Sequence, residues 1–83
     1  MEPYQIPEVK IMTLKTLVFV KNPMELEETR KNLGSDYEVF YEKTIEDIEE
    51  NVRKVIIELN FPNYHLHRWE SEGWVGYHIF ISI

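Results

Sequence analysis

The chain has 83 residues, no cysteine and a formal net charge of −6, from fifteen Asp and Glu against nine Lys and Arg. A length of this order makes one domain, residues 1–83, whose core buries only about 60 to 65% of the surface that the unfolded chain exposes, and the absence of cysteine excludes disulfide staples, a thiol nucleophile, thiolate-held zinc or iron–sulfur and any sulfur-based switch. Hydrophobic residues at 43% and charged residues at 29% belong to a folding globular domain rather than a disordered tail, while the cations are scattered singly among glutamates, which disfavours nonspecific binding to DNA or RNA.

At the start of the chain, Pro3 and Pro7 keep their neighbours extended, so residues 1–8 are expected to form an arm. These residues have no basic segment followed by an apolar core, and the longest apolar run, LVFV at 17–20, is far too short to span a bilayer. A soluble, cytoplasmic protein is expected. The chain has no alanine and is rich in Ile, Glu, Lys, Asn and Tyr, the bias of an AT-rich coding sequence, as in a thermophile or a mobile element.

Val9 to Val20 has the pattern of a strand, alternating at first and then continuously apolar through Leu17, Val18, Phe19 and Val20, with a change of parity near Ile11 and Met12 that predicts a bulge. A short helix follows, with Asn22 as N-cap, Pro23 at its first position, Glu25 as the capping-box acid, a thin stripe of Met24, Leu26 and Leu33, and Gly34 as its stop. Residues 37–42 alternate as a strand, with Tyr37, Val39 and Tyr41 on one face and Glu38, Phe40 and Glu42 on the other. Thr44 then caps a second helix whose Ile45, Ile48, Val52, Val55, Ile56 and Leu59 recur at helical spacing, with Glu49 to Arg53 and Glu50 to Lys54 paired on its wet side. NFPN at 60–63 ends that helix, and a hairpin closes the chain.

The predicted architecture is α+β, in β-α-β-α-β-β order: a four-stranded mixed sheet with two helices on one face and a C-terminal β-hairpin. This topology is similar to that of the C-terminal domain of translation initiation factor three, the Alba chromatin proteins and the small sulfur-carrier proteins. Their functional residues have no counterpart here, because the sulfur carriers use a Cys-Pro-x-Pro at the first helix where this chain has NPME, and the basic patches of Alba proteins are missing.

In the hairpin, Val75, Tyr77, Ile79, Ile81 and Ile83 share one face of the last strand, and Tyr64 and Leu66 are the apolar pair of the strand before it. Keeping both sets on the helix-covered face predicts a two-residue Ser71-Glu72 loop or a four-residue loop of the same register. In that register Glu70 lies opposite Gly73, Trp69 opposite Trp74, His67 opposite Gly76 and His65 opposite His78. The helix-free face then carries Trp69, Trp74, Phe80, His65, His67 and His78, with Glu38 and Glu42 able to join them.

Several readings compete for that face. As an association surface, its aromatic residues are favoured interface anchors, and a small chain gains burial by forming a dimer on this face or through an edge strand. As a metal centre, His65, His67 and His78 resemble the three-imidazole ligand sets of carbonic anhydrases and cupins, which hold a divalent ion, with Glu70 or Glu42 as a fourth or supporting group. His65-Leu66-His67 also resembles the His-hydrophobe-His signature of rolling-circle replication endonucleases, but a strand follows it where those enzymes place a helix with a nucleophilic tyrosine. A base-stacking platform would need flanking cations, which reduce to Arg68, and the acidic face of the second helix (Glu46, Asp47, Glu49, Glu50, Glu58) reads as solvated, with nucleic-acid mimicry as its functional alternative. The expected function is that of a small interaction or regulatory domain without catalysis or cofactor of its own, acting through protein–protein contacts as a homodimer. A His-based metal-binding protein is the alternative.

Overall fold

Capping places both helices. The Asn22 side chain accepts a hydrogen bond from the Met24 N–H (3.0 Å), and Thr44 Oγ1 accepts one from the Asp47 N–H (3.1 Å), each satisfying a donor that the first helical turn leaves free. A computed structural model of the chain describes residues 10–82; the expected arm at 1–8, together with Val9 and Ile83, lies outside the described residues. In chain order the elements are β1 (Ile11–Val20), a 3-10 turn (Pro23–Glu25), α1 (Leu26–Leu33), β2 (Tyr37–Tyr41), α2 (Ile45–Leu59), β3 (His65–Ser71) and β4 (Trp74–Ser82). The first helix therefore begins as a 3-10 turn, and α2 ends where Asn60 turns left-handed and its N–H returns to the Ile56 carbonyl.

The strands form one mixed four-stranded sheet in the order β2-β1-β4-β3. β1 runs parallel to β2 and antiparallel to β4, and β4 pairs antiparallel with β3. The α+β class, the mixed sheet and the C-terminal hairpin are as expected. The bulge lies at Leu14, between Thr13 and Lys15, slightly beyond the parity change at Ile11 and Met12.

The two helices lie on opposite faces of the sheet, not on one. On one face Val52 and Val55 of α2, supported by Ile48, Ile56 and Leu59, pack against Leu17, Phe19, Tyr77 and Ile79. The Phe19 ring stacks on Phe40 at 5.5 Å and meets Tyr77 edge-on at 6.0 Å, within the distances aromatic pairs prefer. On the other face Leu26 and Leu33 of α1 pack against Val18, Val20 and Val39; Met24, expected in that stripe, is exposed. The reason is directional. β1 to β2 is one step toward one edge, whereas β2 to β3 travels back across the whole sheet, and two crossovers of the same hand that travel in opposite directions lie on opposite faces.

The hairpin register also differs from the expected one, by two residues. Its loop is Glu72-Gly73, with φ of 49° and 85°, the pair of left-handed residues that a two-residue type I′ turn requires. His65 therefore lies opposite Phe80, His67 opposite His78, Trp69 opposite Gly76 and Ser71 opposite Trp74. A shift of two preserves which face every side chain occupies. The Trp69 indole lies directly over Gly76, where an added Cβ would collide with its six-membered ring. Gly76→Ala is expected to destabilise the fold by about 1–3 kcal/mol through overpacking, measured as a lowered urea midpoint, and in a Trp69→Ala background the same substitution should cost nothing further. An undiminished penalty in that background would contradict the observed register.

Candidate functional site

Alternation along the hairpin brings His65, His67 and Trp69 of β3 to the same face as Trp74, Gly76, His78 and Phe80 of β4. There the rings pack on one another. His65 stacks on Phe80 at 5.4 Å, His67 on His78 at 6.2 Å, and His78 on Trp69 at 5.7 Å. His78 Nδ1 shares a hydrogen bond of 3.1 Å with Thr16 Oγ1 of β1, which fixes the orientation of the imidazole. Ile11, Thr13, His65, His67, His78 and Phe80 line a shallow, open concavity beside this row.

The predicted metal ligands are thus neighbours on one face, but His65 stands against Phe80 instead of His78. Rings that stack face to face do not aim their nitrogen lone pairs at a common point. Among the described residues no group of three His, Asp or Glu side chains is arranged to hold a metal ion. The carboxylates expected to assist lie on the opposite, α2-covered face. Glu38 pairs with Lys15, Glu42 accepts a hydrogen bond from Asn51 Nδ2 (2.8 Å), and Glu70 pairs with Arg68 (2.9 Å).

The aromatic anchors are likewise partly committed to the protein itself. Trp69 and Trp74 do not lie opposite each other on an open face. Both are half-buried against the Val18, Val20 and Val39 cluster, over which α1 also packs. The Trp69 indole N–H is buried without a hydrogen-bond partner among the described residues. Phe80 is half-buried under His65, so His65 and His67 are the exposed members of the row.

A second surface lies at the outer side of β3. This strand is the edge of the sheet, and α2 does not reach over it: Leu66, placed on the α2 face as its parity predicts, is 44% exposed, Tyr64 is 42% exposed and Ile57 of α2 is 69% exposed. Tyr64 and Leu66 thus do not hold the hairpin to the core as expected. Together with Val52, Arg53, Ile56, Arg68 and Tyr77, they line a groove between α2 and the strand. Ser71 and Trp74 flank the two-residue turn and exchange its closing hydrogen bonds, so alternation turns the N–H and C=O groups of Leu66, Arg68 and Glu70 outward, away from β4. Arg68 Nη2 lies 2.9 Å from Glu70 Oε1, and hydrogen bonding to Tyr77, then to Glu70, raises the Arg68 pKa above its ordinary value.

The opposite edge is treated differently. Arg30 of α1 reaches the backbone of β2 and donates from Nε (3.2 Å) and Nη2 (2.9 Å) to the Val39 carbonyl. A guanidinium fork on the backbone occupies an acceptor that an incoming strand would need. The sequence pattern assigns Val52, Ile56, Tyr64, Leu66 and Tyr77 to the core rather than to a groove, although one signal of exposure was present. Ile57 falls outside the helical stripe, as an isoleucine on a face otherwise acidic and basic. Arg30 carried no signal, because a lone arginine in a short helix has the appearance of a solvated cation.

Among the described residues no helix is long and apolar enough to cross a membrane. No protein-family model, curated protein or solved structure matches the chain. Among the described residues the β3 edge is unpaired, whereas the β2 edge carries the Arg30 fork.

Proposed function

We propose that this chain is a small intracellular association domain that acts through protein–protein contact, and that it forms a homodimer through the free edge of β3. The observation that carries this reading is the difference between the two edges of the sheet. Unpaired strand edges invite a further strand, and proteins that must stay monomeric cover or disrupt them. Here the Arg30 fork occupies the Val39 carbonyl of β2, while seven-residue β3 presents its outward backbone groups beside exposed Leu66, Tyr64 and Ile57. Exposed apolar residues that adjoin an open strand edge are more specific than scattered ones, since edge pairing would bury them in the same step. Closure about a twofold axis would join two sheets into one of eight strands and add burial that a chain of this size lacks.

Size-exclusion chromatography with light scattering should give about twice the 10.1 kDa chain mass at tens of micromolar; a strict monomer there would overturn the reading. Arg68→Pro removes one outward N–H and leaves the β4 ladder intact, because proline is tolerated where an edge N–H faces solvent. It should yield a folded monomer by circular dichroism and light scattering. Arg30→Ala should do the reverse, uncovering the second edge and shifting the mass distribution beyond the dimer to larger species. Unchanged mass in that variant would mean that the β2 edge is protected by something other than Arg30.

A further inference from the structure

We infer that β3 pairs with β3 of a second copy in one antiparallel register, centred on Trp69, which sets Arg68 of each chain against the partner subunit's Glu70. This rests on the dimer reading above and goes further, because it names the alignment and the two residues that select it.

A closed twofold pair of identical edge strands is antiparallel, since parallel edges leave the assembly open. The outward backbone groups belong to Leu66, Arg68 and Glu70, so hydrogen-bonded positions must pair even-numbered residues with even-numbered residues. Few registers remain, and charge separates them. Centring on Arg68 sets that arginine against its own copy. Centring on Glu70 opposes two glutamates, and it leaves Arg68 facing only Glu72, which lies in the turn beyond the strand. Centring on His67 sets Arg68 against Leu66 and leaves the charges unmatched. Centring on Trp69 gives two Arg–Glu contacts related by the twofold, and the Arg68–Glu70 pair within each chain, at 2.9 Å, becomes part of a ring of four alternating charges. Like charges directly opposite on a strand pair are unfavourable and opposite charges favourable.

Two further observations agree with this alignment. Trp69 at the centre would face its own copy, and its indole is already turned inward over Gly76, away from the seam. The twofold axis stands perpendicular to the sheet, so both α2 helices flank the seam on one side, and the groove lined by Ile57, Tyr64 and Leu66 opens toward the partner subunit.

Charge reversal tests the register. Arg68→Glu alone and Glu70→Arg alone should each weaken the dimer by about tenfold or more in Kd, measured by sedimentation equilibrium, with circular dichroism and melting temperature showing that each variant is folded. The doubly reversed chain, Arg68→Glu with Glu70→Arg, should dimerise within about threefold of the parent. Mixing the two single variants should give a one-to-one heterodimer, since that combination restores both opposite-charge contacts. A parent that is monomeric overturns the dimer reading itself. A dimeric parent whose single reversals leave Kd unchanged, or whose double reversal fails to recover, overturns the register while leaving the dimer in place.

Discussion

The direction in which the chain crosses its own sheet controls the rest of this structure. β1 leads to β2 on one side, and the chain must then cross back past β1 and β4 to reach β3. With both crossovers of one hand, α1 and α2 fall on opposite faces, and neither face receives two helices. A helix of 15 residues is about 22 Å long and about 10 Å wide with its side chains. Laid over strands spaced about 4.8 Å apart, it covers roughly two of the four. α2 covers β1 and β4, where Leu17, Phe19, Tyr77 and Ile79 form the core. The outer strand β3 is left with its α2-side residues half in water.

Consequences follow on both faces. On the α1 face the short helix covers β1 and β2, and the hairpin has to cover its own remainder. It does so with rings: Trp69 closes over Gly76 and against the valine cluster, His78 lies beside Trp69 and is held by Thr16, and His65 lies on Phe80. The residues that look most like a functional cluster in the sequence are therefore first of all the packing of a half-covered sheet face. On the α2 face no side chain plays that part for Leu66, Arg68 and Glu70. The feature left for an outside partner is the edge and its groove, not the aromatic face.

Much of this fold was legible in the sequence, and the errors have identifiable physical causes. Asn22, Thr44 and the helical stripe of α2 placed the helices, because caps and periodicity are local properties. Alternation in the hairpin assigned every residue of His65–Ser71 and Trp74–Ser82 to its correct face. It could not fix the register, since a slip of two keeps every face unchanged. The deciding information lay in turn chemistry: Gly73 suits the second position of a type I′ turn, which moves the loop to Glu72-Gly73 and every partner by two. That slip placed His65 beside Phe80 and removed the His65–His78 contact on which the metal reading depended. The shared helix face failed for another reason, because handedness was considered without the direction of travel. The candidate site was legible in part. Arg68, Leu66 and Tyr64 were visible as residues, but exposure at an edge depends on how far a distant helix reaches, and no local pattern encodes that.

A bare strand edge on a small acidic domain raises the question of what keeps it from open-ended stacking. Open-ended growth would need a second free edge, but the other side of β3 is taken by β4, and at the far edge of the sheet the Val39 carbonyl of β2 is held by Arg30. In the proposed dimer the antiparallel pair centred on Trp69 would therefore close after two copies, with Arg68 and Glu70 in alternation along the seam. Arg68 and Glu70, two residues apart, would select that closed register, and Arg30 would oppose growth at the far edge. The edge also has most to gain from being paired, since β3 is held on one side only, by β4, and receives little cover from α2. In the proposed dimer, folding of this strand and association of the chain would be linked by mass action, so that stability would rise with concentration.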